Sequence, residues 1–326
     1  MGPHPDWAYR SDRGEPRHAL ALSSSLTLPE LLARLAVSAE SLGALAAVAE
    51  LRVSGEQAPP ELARTLDAVV AALDAGEALD GASAAQLTAV AGMARTLLGQ
   101  ALELGRDPAR ALGWQVTEPA ILEGSGQVSI AFAATLKETI LPRLTGLERR
   151  LRAPGAAFLD VGVGTGHLPI ALCGFWPTLS AVGIDPWAPA LERARANVAA
   201  AELAHRVDLR LGGIEDLEDT EAYDLGWVPV SFIPEAALRT GLPRLARALR
   251  PGGWLLLGHF AGSDALSAAL ADVRTLRSGG ALLTNEALGV LLEEAGLAQV
   301  TPLPRSSLGL LAFLAGRRPG AEPMGV

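Results

Sequence analysis

The residues best placed to do chemistry lie in Phe158–Leu172, FLDVGVGTGHLPIAL. Asp160 closes an apolar run, and Gly162, Gly164 and Gly166 follow at every second position. Glycines this close let the backbone turn tightly and bring a ligand against bare main chain, with no Cβ in the way. The helix that begins near His167 would aim its first N–H groups and its positive dipole end at the same place. A second acid, Asp185, ends the next apolar run, Ser180–Ile184, where one αβ unit returns to the loop. An acid so placed can accept ribose hydroxyls. The chemistry implied is the holding of a nucleotide-type ligand. The dinucleotide fingerprint G-x-G-x-x-G needs glycine at position 167, and histidine stands there. The observed D-x-G-x-G-x-G loop has no diphosphate to cradle, and Asp160 suits a cationic ligand.

The elements that must position this loop alternate in period. Short apolar runs at Ala156–Asp160, Ser180–Asp185, Val207–Leu211, Tyr223–Pro229, Leu249–Gly258, Ala298–Thr301 and Leu308–Ala315 predict strands. Segments such as Pro189–Ala201 and Glu235–Ala248 between them predict helices, the pattern of an open, mostly parallel α/β sheet. With the acid-led glycine loop, Asp185 and the Leu249-Arg250-Pro251-Gly252-Gly253 turn in this order, the chain resembles the class I S-adenosylmethionine-dependent methyltransferases from about residue 120 to 318. The resemblance implies a seven-stranded, mostly parallel Rossmann-like sheet whose final strand is antiparallel to its neighbours. It implies S-adenosyl-L-methionine as cofactor, leaving as S-adenosyl-L-homocysteine. The residues it assigns to that cofactor are Asp160, Gly162, Gly164, Gly166, Asp185, Pro186, Ile214, Glu215 and Val228. Many relatives carry an acid where this chain has Gly213, so reading of the adenine amino group passes to Glu215, Asp216 or the Ile214 backbone.

Upstream, Leu28–Val53, Pro60–Leu73 and Ser83–Leu104 have apolar residues at helical spacing and are rich in alanine. The expected organisation is a tail (1–27), an all-α cap or dimerisation domain (28–113), a linker and lid helix (114–152), the methyltransferase domain (153–318) and a second tail (319–326). The lid helix is expected over Gln127–Arg150. Trp114, Glu123, Gly124 and Gln127 either touch cofactor or substrate or serve as linker and helix-start residues. Arg149, Arg150 and Arg152 sit at a predicted helix end, where cations are favoured, and are expected to be structural.

Methyl transfer needs alignment and exclusion of water more than it needs acid–base groups. A base is required only for an acceptor that arrives protonated. His259, expected at the carboxyl edge of the fifth strand, is the candidate catalytic or substrate-binding group, set against a plain loop role. His167, at a helix start, is a weaker one. The fourth strand ends in Trp227-Val228-Pro229-Val230-Ser231-Phe232-Ile233-Pro234. It lacks both the N/D-P-P-Y/F signature of the amino-methylating branches and the His-Asp-Trp segment of the winged-helix O-methyltransferases. Trp114, Trp227 and Phe232 are the candidate substrate residues, with Val228 and Ile233 as further apolar wall or as strand-end packing. Arg274 and Arg277 either hold a carboxylate or form a solvated helix end.

Net charge is −9 and there is one cysteine, which argues against a nucleic-acid partner and excludes an internal disulfide. Scattered histidines show no metal-ligand spacing. With no signal peptide or 18-residue apolar run evident, the chain is expected to be cytoplasmic and off the membrane. The function expected is methyl transfer to a small molecule, such as a secondary metabolite, by a chain that can form a homodimer. The alternative is a homologue of the same fold that binds the cofactor without transferring its methyl group.

Overall fold

The computed structural model describes residues 26–306 and 309–320, apart from the side chains of Pro119, Ala120, Ser125 and Gln127. Residues 1–25 and 321–326 of the two expected tails, Ser307, Leu308 and the Gln127 side chain thus lie outside the described residues.

Seven strands form one sheet in the order β3-β2-β1-β4-β5-β7-β6. They are β1 (Ala157–Val161), β2 (Ser180–Asp185), β3 (Val207–Leu211), β4 (Tyr223–Pro229), β5 (Leu249–Phe260), β6 (Ala298–Leu303) and β7 (Leu311–Arg317). β1 to β5 pair in parallel, and β7 runs antiparallel to both β5 and β6. The reversal of strand order between β1 and β4 leaves a crevice at their carboxyl ends, the usual ligand position in such sheets.

The helices are α1 (Leu28–Ser54), α2 (Pro60–Ala72), α3 (Gly76–Asp80), α4 (Ala84–Arg106), α5 (Pro119–Thr135), α6 (Leu147–Leu151), α7 (His167–Phe175), α8 (Ala188–Ala200), α9 (Glu235–Ala248), α10 (Ala265–Ser278) and α11 (Asn285–Glu294). The lid helix is displaced from its expected span. It starts at Pro119, which fits a first helical turn, and gives way to a wider π turn at Leu136–Ile140 and then a tight 3-10 turn, Leu141–Arg143, that contains Pro142. Gly146 then reverses the chain at φ 77°.

Two apolar clusters sandwich the sheet, one on each face. Phe158, Leu172, Trp176, Leu225 and Leu256 belong to the first, and Leu159, Leu242, Leu255, Leu257 and Leu288 to the second. The amino-terminal helices have their own core of Val48, Ala49, Leu66, Val70, Leu79, Leu87 and Ala91. Helix α1 is long and apolar enough to cross a membrane by length and composition, contrary to the expected lack of such a run. Arg34 and Glu40 interrupt the run and hide it from a search for uncharged stretches.

At the amino ends of β1 and β4, buried Asp224 accepts from Arg150 at 3.0 Å, Arg250 at 2.6 Å and the Ala157 amide at 3.1 Å. Arg150 is thereby a structural tie, and the Arg250-Pro251-Gly252-Gly253 turn is anchored to the start of β1.

Candidate functional site

The loop between β1 and α7 takes left-handed conformations that glycine adopts without penalty, with φ 64° at Gly162 and 57° at Gly164. Asp185 holds the loop: its Oδ2 accepts from the Gly164 amide and its Oδ1 from the Trp187 amide, each at 2.8 Å. A carboxylate has roughly four acceptor positions, so two stay open toward a ligand. Burial raises the Asp185 carboxyl above its usual range, against the opposing effect of these two amide bonds. Asp160 lies beneath the loop at 2% exposure. Burial first, and the neighbouring Asp185 charge second, raise its carboxyl well above the usual range. Among the described residues no cationic side chain pairs with it.

Helix α5 reaches the loop through a chain of side chains. Glu123 Oε1 lies 2.9 Å from His167 Nε2, and His167 Nδ1 lies 2.9 Å from the Thr165 hydroxyl. Burial lowers the His167 value despite the pull of Glu123. Gly126 permits this approach, because a Cβ there would overlap Thr165 Oγ1 and stand 2.6 Å from His167 Nδ1. The linker before α5 is fastened as well: the Trp187 indole donates to the Val116 carbonyl at 2.8 Å.

These elements enclose a cavity of about 550 Å³ that runs from the glycine loop to the amino-terminal helices. Of the residues singled out in the sequence, Gly162, Gly164, Asp185, Pro186, Ile214, Glu215, Trp114, Trp227 and Phe232 line it. Four do not. Asp160 lies below the loop, and Gly166 at φ 82° packs on Ala194, its Cβ position 3.3 Å from the alanine's. Val228 is fully buried in the opposite cluster, since its strand neighbours Trp227 and Pro229 face the cavity. His259 is misplaced by the same alternation. Gly258 and Phe260 line the cavity, while His259 Nε2 sits 2.8 Å from Asn285 Oδ1 and Nδ1 3.1 Å from the Phe260 carbonyl. The expected catalytic histidine is therefore engaged outside the cavity. Asp216 accepts from the Gly213 amide at 3.0 Å, which leaves Glu215 and Ile214 at the edge where adenine is expected.

The sequence reading missed the contribution of α4. Met93, Thr96, Leu97 and Gln100 line the far wall, spaced as one helix face. The available signal was the pair of polar residues, Thr96 and Gln100, within an otherwise apolar stripe. Among the described residues lining the cavity, Asp185, Glu215 and Arg274 are those with ionisable side chains.

A methyltransferase-domain family model matches residues 158–253. The release factor glutamine methyltransferase of Cereibacter sphaeroides is 30% identical over 261 residues, covering 68% of this chain and 89% of that protein. The chain belongs to the class I S-adenosylmethionine-dependent methyltransferases. The malonyl-[acyl-carrier protein] O-methyltransferase of Priestia megaterium is 33% identical over 104 residues, but the match spans 32% of this chain and 36% of that protein. Among solved structures, the pyocyanin biosynthetic protein PhzM aligns with TM-score 0.60 at 17% identity, covering 88% of this chain and 96% of that one. The mitomycin 7-O-methyltransferase MmcR aligns with TM-score 0.57 at 21% identity, covering 89% and 97%. These likenesses extend the shared fold through the helical region.

The cofactor of this methyltransferase is S-adenosyl-L-methionine, and the site fits it. Gly164 offers backbone without a side chain, and Asp185 lines the cavity with acceptor positions beyond the two its amide bonds use. The bound sulfonium supplies a methyl group already activated for displacement. What that leaves to a protein is to orient the acceptor and exclude water.

Proposed function

We propose that this methyltransferase acts on a small, largely apolar molecule, with oxygen as the acceptor atom, and that the product is a secondary metabolite. The observation that carries the reading is the continuity of the cavity from the glycine loop into a compartment walled by Trp114, Phe132, Trp227, Phe232, Met93 and Leu97. Such a compartment suits a small apolar ligand. A flexible protein segment would need a groove open along its length. The end of β4, Trp227-Val228-Pro229-Val230, also offers no side-chain amide or carboxylate to hold the glutamine amide that the name of the Cereibacter relative describes. The name of MmcR supports an oxygen acceptor, and that of PhzM supports a biosynthetic product.

In this reading Asp185 takes the ribose hydroxyls, Glu215 and the Ile214 backbone take the adenine edge, and Asp160 supports the ammonium end. The helices from Leu28 to Arg106 act as a cap over the acceptor. Exposed Leu28, Leu32 and Leu35 recur along one face of α1, where we place contact with a second copy.

The test is incubation of the purified protein with a metabolite extract and methyl-labelled S-adenosylmethionine, followed by mass spectrometry. A labelled small molecule should appear with an equal amount of S-adenosylhomocysteine. Label found only in protein would overturn the reading.

A further inference from the structure

Two arginines on α10 have opposite fates. Arg277 donates to the Asp107 carbonyl at 3.1 Å and pairs with Glu103 at 3.7 Å, so it ties α10 to the carboxyl end of α4. Arg274, three residues earlier, lines the cavity instead. Its Nε is buried without a hydrogen-bond partner, and no carboxylate pairs with it among the described residues. Its guanidinium carbon lies 5.4 Å from the centre of the Phe260 ring. Phe260 stands 5.5 Å from Phe232, and Phe232 stands 5.4 Å edge-on to Trp114. A half-buried cation thus lies over the Phe260 ring, at one end of a run of aromatic rings, with its Nε unpartnered. An uncompensated buried cation is costly, and the usual remedy is an anion of matching geometry.

Among the described residues, the same compartment holds no candidate base. Of the ionisable residues lining the cavity, Asp185 is bound to the glycine loop and Glu215 adjoins Gly213, both on the cofactor side. His259 faces away. Among the described residues no side chain stands ready to take the proton of a hydroxyl acceptor, and an acceptor that enters already ionised needs none.

We propose that Arg274 binds the oxyanion of a planar aromatic acceptor, a phenolate, and holds it ionised for methylation. This rests on the methyl-transfer reading given above. The step balances without a base: a lone pair of the phenolate oxygen forms the new O–CH3 bond while the S–CH3 bond breaks. The bonding pair stays on sulfur, and the negative oxygen and positive sulfur are neutralised together. The aromatic rings supply the stacking surface, and Arg274 selects the ionised form. Burial also lowers the Arg274 value, as expected of a cation that lacks a counter-charge.

The probe is 4-nitrophenol, whose phenolate is coloured, titrated against pH in the presence of saturating S-adenosylhomocysteine. Wild-type protein should bind the phenolate at least tenfold more tightly than the phenol, which lowers the apparent pKa of the bound probe by about one unit. Arg274→Gln should abolish that shift, Arg274→Lys should retain part of it, and Arg277→Gln should keep it whole. All variants should bind S-adenosylhomocysteine as wild type does, which also controls for folding. An unshifted probe, absence of saturable binding, or a shift that survives in Arg274→Gln overturns the inference while leaving methyl transfer standing. Failure of wild-type protein to bind S-adenosylhomocysteine removes the reading on which the inference rests, and the inference with it.

Discussion

Asp185→Ala isolates the interaction that the site depends on most. In the folded chain this carboxylate accepts from Gly164 and Trp187 at 2.8 Å each, and so fixes the loop before any ligand arrives. Two acceptor positions remain for the ribose hydroxyls. A hydrogen bond to a charged group contributes about 1.5–3 kcal/mol, so loss of two costs about 3 kcal/mol at the low end. That corresponds to about a hundredfold in affinity. Water entering the space left by the side chain recovers some of this, and removal of a desolvated charge relaxes the free protein. The expected net result is a loss of more than tenfold (about 1.4 kcal/mol). Asp185→Asn should fall between, because its amide nitrogen cannot accept from Gly164. Calorimetric titration with S-adenosylhomocysteine measures the effect, with circular dichroism to show that the fold persists. A change below about threefold in folded protein would refute the placement of the ribose, since even one charge-assisted bond exceeds that.

Asp160→Asn probes the second acid. Its folded carboxyl is raised above the unfolded value, so its ionised form costs stability at neutral pH, and the cost vanishes below the ordinary carboxylate range. The variant should melt a few degrees higher than cofactor-free wild type near about pH 8, with the gain shrinking toward about pH 4; a pH-independent gain would contradict the assignment. Gly126→Ala should push α5 away from Thr165 and His167 and weaken S-adenosylhomocysteine binding about fivefold or more at unchanged helical content, scaled to one to two kcal/mol of overpacking. Wild-type affinity in that variant would show that α5 does not seal the loop.

Much of the fold was legible because its signals are contiguous. β2, β3 and β4 have the ends that the apolar runs suggested, and the glycine loop declared both its turn and its ligand class. What the sequence hid was facing. β4 and β5 are covered on both sides, so their residues are apolar in succession and show no alternation to mark the cavity side. Trp227 and Val228 look equivalent on paper, and so do His259 and Phe260, yet each pair splits across the sheet. The Glu123–His167 contact joins residues distant in sequence, and no local pattern announces it. The polar residues Thr96 and Gln100 on α4 were visible, but their meaning depends on how that helix docks over the sheet.

The division of the cavity wall has a practical reach. The donor half is made by loops at strand ends, whereas Met93, Thr96, Leu97 and Gln100 present a separate face from two turns of one regular helix. Helical side chains can be exchanged without redrawing a backbone, provided their volume and helix-forming tendency are respected. A combinatorial library confined to those four codons would therefore alter the shape offered to the acceptor while sparing the apparatus that delivers the methyl group. Diversification of products by gene duplication could follow the same short path.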